Sequence, residues 1–565
     1  MQALRSIFRL LKICTSTREG KWEILYFVMI FLLSLLGVYI AVKMITWSKD
    51  FFNALENRDL SAAALQVGIF AILVSGSSGQ YLIKRYLGQV LQIKWRKVLT
   101  EKTLTVWLDR KTYWHLDVSE SSKLDNPDQR IAEDCRIFLE KMTEEAIDLI
   151  TKIIGLFSFF MILWSITDFT LSFTLFGYDV EIPRYMVWAA PIYVAICSGM
   201  AHWLGKPLLP LTVGQQRKEA DFRFALTRFR ESKEAIALQN GEEVERDILD
   251  ARFSEIVKNW KALIKREFIL GCFTRPYMAT ILRIPIFLAL PIYLVGQASL
   301  GTLMQIASAF SNVATSLSWF IFSYNDLAKL AASSVRLEQF LTQAENFHVN
   351  RQIGSAYQDD DQHLSIQNLN LYTGNGTALI DLPYVRVEKG DKTILRGHSG
   401  IGKSTLIRSL AGLHSHYLGK IIAPAGKKMF LSQKAYFPLG GFAHSVTYPQ
   451  KLLVEENLLE IKTILKKVGF SEKDIDEKLL SCDLAQLSGG EQQRLIFARI
   501  IYNKPEWIFI DEGTNALDEA SEKMLLALLQ TELPDASYVI VTHSDTLCQH
   551  IHNAYQLELK GDLGF

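Results

Sequence analysis

Six long apolar runs dominate the N-terminal part of this chain, at residues 22–47, 61–83, 146–166, 185–204, 277–296 and 300–327. Each is long enough to cross a hydrocarbon layer of about 30 Å as a helix. Within lipid a spanning segment must satisfy its own backbone polar groups, which restricts such runs to helices. With 565 residues, two or three domains are expected. Hydrophobic residues make up 49% and charged residues 21%, and mean hydropathy is +0.12. That mixture fits a membrane half joined to a soluble half. A formal net charge of +1 provides no basic stripe for nucleic acid, so no nucleic-acid partner is expected. Cys14, Cys135, Cys197, Cys272, Cys482 and Cys548 are scattered without a C-x-x-C pair, which argues against a disulfide framework or zinc site. Residues 1–21 form a basic, amphipathic lead-in, and the run after it is too long for a signal core.

Charge placement orients the runs. Basic residues cluster in the lead-in (Arg5, Arg9, Lys12, Arg18, Lys21), after the second run (Lys94, Arg96, Lys97, Lys102, Arg110, Lys111) and after the fourth (Arg217, Lys218, Arg223, Arg228, Arg230, Lys233). Residues 48–60 hold only Lys49 and Arg58 against three acids, and residues 167–184 hold Arg184 alone. The positive-inside rule therefore expects both termini and both long basic segments in the cytoplasm. Apolar spacing of three and four persists over residues 84–115 and 219–238, so the spans are expected to continue below the membrane as long helices. Their turns are expected near 117–127 and 215–224; independent amphipathic helices on the surface are the alternative.

In the sixth run Gln305, Ser308, Asn312, Thr315 and Trp319 share one helical face. Polar atoms facing lipid are unfavourable, so this face is expected to line a hydrated transport cavity, with helix packing as the alternative. A polar lining favours a hydrophilic cargo. The patch SGSSGQ at 75–80 of the second run reads as close helix packing. Arg283, early in the fifth run, reads as snorkelling to the inner interface, with anion binding as the alternative.

The C-terminal part carries different chemistry. GHSGIGKST at 397–405 fits G-x-x-x-x-G-K-[ST] at every defined position, between a strand-like and a helix-like stretch. Gly397, Ser399, Gly400 and Gly402 belong to a loop whose amides can face phosphate oxygens at a helix start. Lys403 is expected to reach the β- and γ-phosphates, and Ser404 to ligate magnesium, with Thr405 beside it. A buried strand at 507–510 ends in Asp511-Glu512; the first carboxylate can hold Mg2+ and the second can polarise an attacking water. Another strand ends in Thr542-His543, whose imidazole can contact a γ-phosphate. The expected cofactors are ATP and Mg2+.

These motifs, with LSGGEQQR at 487–494 about eighteen residues before Asp511, resemble the ATP-binding cassette transporters. By that resemblance Gln433 joins the metal and catalytic set with Glu512 as base and His543. Tyr372 stacks on adenine, Tyr357 being a second candidate. Ser488, Gly489, Gly490 and Glu491 form a signature loop that grips the γ-phosphate bound to an opposite protomer. Asn515-Ala516-Leu517-Asp518 couples the two sites, with Asn515 where the family usually has serine. One motor per chain then implies a homodimer of half-transporters. The text DNPDQRIAED at 125–134, and EADFR at 219–223 with EAIAL at 234–238, resembles the SbmA/BacA-like group. That group includes peptide-uptake permeases and a mycobacterial importer of cobalamin and hydrophilic compounds, and is more distantly related to peroxisomal acyl-CoA transporters.

The expected fold is an all-α six-helix transmembrane domain of exporter type (type IV), then an α/β P-loop ATP-binding cassette domain. The domain plan is a lead-in at 1–21, a transmembrane domain at 22–335, a linker at 336–362 and a nucleotide-binding domain at 363–565. The expected function is ATP-driven movement of bulky hydrophilic solutes (peptides, cobalamin-like compounds) into the cell through the lipid bilayer of a bacterial inner membrane. Export of amphiphilic lipids, acyl-CoA or drugs is the alternative. A nucleotide-gated channel is a further class, and a soluble cassette protein conflicts with six apolar runs.

Overall fold

The computed structural model describes the chain except residues 1, 17, 119–126, 169, 176–177, 282, 351–356, 361–362, 375, 399, 433–434, 452–456, 482–483, 485–486, 512–516, 542–553 and 559–565. It forms two compact units, residues 1–109 with 124–345, and residues 110–123 with 346–565.

The first unit begins with α1 (Gln2–Ser16), α2 (Arg18–Glu56) and α3 (Leu60–Leu108). After α4 (Thr112–Val118), which belongs to the second unit, α5 (Pro127–Gln129) passes through a π-helical turn, Arg130–Asp134, into α6 (Cys135–Ile166). An antiparallel hairpin of β1 (Thr170–Leu175) and β2 (Tyr178–Pro183) leads to α7 (Tyr185–Gly205). Then follow α8 (Leu208–Glu231), α9 (Lys233–Gln239), α10 (Glu242–Ile281), α11 (Ile284–Leu294), α12 (Leu300–Leu317) and α13 (Trp319–Asn350).

Among the described residues, five helical stretches are long and apolar enough to cross a membrane: Trp22–Glu56, Leu60–Leu108, Pro127–Ile166, Tyr185–Glu231 and Glu242–Leu294. The sixth expected span begins with α12, which is not among them. Gln305, Asn312 and its hydroxyl side chains dilute its hydropathy, and the structure shields it instead. It packs on α2 and α6, and eleven of its eighteen residues are buried. Phe310, Val313 and Ala314 share a core with Phe159 and Leu163 of α6 and Met186 and Ala190 of α7. Gly301 permits the approach, because a Cβ there would stand 2.2 Å from the Lys49 carbonyl oxygen. The freed start of α12 is capped from α2: Asn53 Oδ1 accepts from the Gly301 amide at 3.0 Å and Glu56 Oε2 from Leu300 at 2.9 Å.

α3 has 49 residues, about 70 Å at 1.5 Å per residue, so it extends well beyond a bilayer core. The turn expected at 215–224 is not there. α8 runs unbroken through it, since that stretch holds no glycine or proline, and the chain turns at Ser232 and at Asn240, whose left-handed backbone ends α9. The first expected turn falls partly on α4 and partly on 119–126, outside the described residues. The linker expected from residue 336 is also displaced: α13 stays helical to Asn350, and the units divide at 345.

The second unit contains β3 (Tyr357–Asp360), β4 (His363–Tyr372), β5 (Ala378–Glu388), β6 (Lys392–Arg396), α14 (Lys403–Leu410), β7 (Tyr417–Pro424) and β8 (Lys428–Leu431). It continues through α15 (Phe442–Thr447), α16 (Leu458–Lys467), α17 (Glu472–Lys478), α18 (Gly489–Asn503), β9 (Trp507–Asp511), α19 (Glu519–Glu532), β10 (Ser537–Val541) and β11 (Ala554–Glu558). One sheet has the order β11-β6-β10-β9-β8 with every neighbour parallel. The other, β3-β7-β4-β5, pairs β4 antiparallel with both neighbours. Parallel strands covered on both faces need continuous apolar sequence, which β9 supplies in Trp507, Ile508, Phe509 and Ile510. Phe509 stacks on Phe430 of β8 with centroids 4.4 Å apart.

Candidate functional site

Strand register gathers the nucleotide motifs. Leu395 pairs with Val541, Val541 with Asp511, and Ile510 with Leu431, all in parallel. The C-terminal ends of β6, β10, β9 and β8 thus lie along one sheet edge, where ligands of α/β sheets bind. The phosphate loop leaves β6 there, and Asp511 closes β9 there. Ser399, Gln433, Glu512 and His543, with Asn515, lie outside the described residues.

The loop is built for an anion. Gly402 caps α14 at φ +112°, a conformation that disfavours any side chain, and a Cβ would press on Ile380 at 3.2 Å. Gly400 also has positive φ. Lys403 is buried, and its ammonium donates to the carbonyls of Gly397 at 2.5 Å and His398 at 3.3 Å. Ser404 and Thr405 occupy the first turn of α14, half-buried, where free backbone amides and the helix dipole favour phosphate. Asp511 is 7% exposed, and its Oδ1 has no hydrogen-bond partner among the described residues. A buried carboxylate oxygen without a partner is costly. With the Ser404 hydroxyl, it fits a magnesium ion, which when bound would offset phosphate charge.

Strand pairing brings Tyr372 toward this loop. It pairs with Ala378 of β5, and the next residues of that strand, Leu379 and Ile380, crowd Gly402. Its amide donates to the His416 carbonyl at 2.9 Å, and its own carbonyl meets His414 Nε2 at 2.8 Å. For Tyr357, on β3, only the backbone is described.

Ser488 starts α18 with a complete capping box. The Glu491 amide donates to Ser488 Oγ at 3.3 Å, and Glu491 Oε2 accepts from the Ser488 amide at 2.9 Å and hydroxyl at 2.7 Å. Those bonds hold the Glu491 carboxyl below its ordinary pKa. Gly489 and Gly490 form the first turn. Asp518 serves as a helix cap as well, accepting from the Ser521 amide at 3.4 Å at the start of α19. The same α18 carries Arg499, which is buried and donates to the carbonyls of Ser445 at 2.6 Å and Tyr436 at 2.9 Å. Burial pushes its guanidinium down to about 10, still charged at neutral pH. Asn503 adds bonds to Val446 and Tyr448, so α18 holds α15 and the residue that caps it. Sequence reasoning did not single out Arg499 or Asn503; a polar residue at i and i+4 on the apolar face of α18 was the available signal.

Another unexpected contact involves α4. Lys111, just before it, donates to the Ala411 carbonyl at 3.2 Å, and Trp114 Nε1 donates to the Leu413 carbonyl at 3.0 Å. Nothing in local sequence reports a bond spanning some 300 residues.

In the first unit the expected cavity face divides. Gln305 is buried, and its Oε1 has no partner among the described residues; the same is true of Trp319 Nε1. Asn312 and Thr315 bond back to the Ser308 and Ser311 carbonyls of their own helix. None of Gln305, Ser308, Asn312, Thr315 and Trp319 lines either of two cavities in this unit. One of these, about 560 Å³, lies between α7, α10 and α13, with mainly apolar walls plus His202, Thr274, Arg275 and Asn325. The other, about 680 Å³, is lined by charges of both signs, among them Glu133, Arg136, Lys141, Glu219, Arg223 and Lys329. At its edge Asp134, 2% exposed in the π-helical turn, accepts a two-pronged bond from Arg336 of α13, one arm at 2.8 Å, and a weaker one from Arg130 at 3.4 Å. In the SGSSGQ patch, Gln80 bonds the Leu33 carbonyl of α2 at 2.8 Å.

A membrane helical unit joined to a motor with this phosphate loop, strand-tip carboxylate and capped signature defines a class. The family model described as ABC transporter transmembrane region 2 matches residues 10–294, and that described as ABC transporter matches 383–515. The chain belongs to the ABC transporters, and its ATP-binding domain makes it an ATP-hydrolysing one. Among its relatives, it is 32% identical to the inner membrane ABC transporter ATP-binding protein YddA of Escherichia coli, over 93% of this chain and 92% of that protein. It is 31% identical to an ABC transporter ATP-binding protein of Haemophilus influenzae, over 94% and 88%. It is 24% identical to the human lysosomal cobalamin transporter ABCD4, over 94% and 91%.

Proposed function

We propose that two copies of this chain form a homodimer in a bacterial inner membrane and use ATP and Mg2+ to import bulky hydrophilic solutes, peptides or cobalamin-like compounds. Both termini then lie in the cytoplasm, six spans including α12 cross the bilayer in the type IV arrangement, and the chain groups with SbmA/BacA-like proteins. The observation that carries the cargo class is the 680 Å³ cavity, where acids, bases and amides surround one space. A zwitterionic solute meets complementary partners there. The cobalamin transporter among the relatives supports the same class.

In each cycle Lys403 and the amides of the phosphate loop hold the nucleotide phosphates. Ser404, Asp511 and Gln433 would hold the magnesium ion, which when bound would offset phosphate charge; Glu512 activates water, and His543 contacts the γ-phosphate. Ser488, Gly489 and Gly490 of the second copy complete the site. Uptake of labelled cobalamin and of a labelled peptide into proteoliposomes, compared with Glu512→Gln, tests this. ATP-dependent uptake is expected in the parent and lost in the variant; equal uptake by both overturns it. A second function, movement of amphiphiles, draws on the 560 Å³ cavity, whose apolar walls end near Arg275. Stimulation of hydrolysis by amphiphiles alone would favour it.

A further inference from the structure

The six residues between the phosphate-loop helix and β7, 411–416, are tied down along most of their length. The Ala411, Gly412 and Leu413 amides bond back to Ile407, Ser409 and Arg408 of α14. The Ala411 and Leu413 carbonyls accept from Lys111 and Trp114, just before α4 and within it. His414 Nε2 lies 2.8 Å from the Tyr372 carbonyl, so that nitrogen carries the proton and donates. The His416 carbonyl accepts from the Tyr372 amide at 2.9 Å, and the two imidazoles meet edge to face at 5.5 Å. Both backbone groups of Tyr372 are therefore held by this segment. The next residue enters β7, where Tyr417 pairs with Leu371. The half-buried His414 ring has its pKa lowered by desolvation and stays neutral at physiological pH.

We propose that His414 is a positioning residue for nucleotide: it sets the Tyr372 backbone for stacking on adenine and, through Leu413, ties base binding to Trp114 of α4. This rests on the assignment of Tyr372 as the adenine platform. The physical reason is reach. The backbone of a residue at a strand end can shift, and fixing both its amide and its carbonyl sets the direction in which the side chain leaves before the base arrives. Because Leu413 and His414 are adjacent, a shift of α4 that loads the Leu413 carbonyl is felt directly at the Tyr372 backbone.

The test is steady-state ATP hydrolysis by the full-length protein in lipid nanodiscs. His414→Ala is expected to raise KM for ATP about tenfold, the size of one lost hydrogen bond, with kcat within about twofold. His414→Gln, whose amide can donate to the same carbonyl, is expected to restore KM. Trp114→Phe is expected to raise KM as well, and the double variant to be no worse than His414→Ala, because both act along one path. An unchanged KM in His414→Ala, no rescue by glutamine, or fully additive effects overturns the proposal. Tyr372→Ala separates the failures. If it leaves KM unchanged, the adenine platform itself is wrong; if it raises KM while His414→Ala does not, only the positioning role falls.

Discussion

Asp511 has an unusual balance at the level of a single side chain. It ends a strand whose every residue is buried, and one of its oxygens has no partner among the described residues. Such a group is retained at a cost to stability only if something else needs its charge. Asp511→Asn is therefore expected to lower ATP hydrolysis on the order of 100-fold as metal binding weakens. The melting temperature without nucleotide should hold or rise, because a buried carboxylate oxygen without a hydrogen bond has gone. Hydrolysis across a magnesium titration, with a thermal melt on the same sample, checks both. Asp134 shows the opposite balance, a buried carboxylate fully answered by Arg336 and Arg130. Arg336→Gln should cost about 1–3 kcal/mol, because buried Asp134 then keeps only the weaker bond from Arg130, and Asp134→Asn should cost less, because Arg336 is 39% exposed and water can reach it. The double change Asp134→Leu with Arg336→Leu should recover most of it in detergent melts.

Among the elements, α18 depends on its capping box. The carboxyl of Glu491 is held below the ordinary value of 4.5 by its bonds to Ser488, so its stabilisation is complete above that value and lost as pH falls through the lowered one. Glu491→Gln should flatten this part of the acid limb of a pH-stability profile, and Ser488→Ala should cost about 1 kcal/mol. Ser488 and Glu491 entered through the signature resemblance; the cap they form is local, spelled within four positions, and went unread. The phosphate loop and the β9 strand were legible because each is spelled within a few consecutive positions. The α8 turn was misplaced because apolar periodicity does not mark ends; Asn240-Gly241, a left-handed stop, carried that information. The extent of α13 was missed because polar residues beyond Arg336 read as linker while the helix simply changes surroundings. Asp134 stood in a recognisable motif, yet its partner lies 202 residues away, and one sequence offers no means of pairing them.

For the whole molecule, the incomplete motor is the question. If the signature of one copy serves the phosphate loop of another, Lys403→Ala and Ser488→Arg chains should each be inactive alone. Mixed in equal amounts before reconstitution, they should regain about one quarter of parental hydrolysis, since half the dimers then carry one intact site. Activity that stays absent on mixing would show that each chain completes its own site. The six apolar runs told of a membrane protein, but only packing showed why α12 tolerates its glutamine and asparagine: it lies inside a sleeve of other helices.

The motor is not contiguous in the chain, since residues 110–123 cluster with it although they sit between two membrane helices in sequence. Gene fragments that begin at residue 346 would therefore produce a truncated ATPase with two carbonyls, those of Ala411 and Leu413, stripped of their donors. Isolating this engine by simple excision should yield a weaker, slacker protein than the intact polypeptide contains.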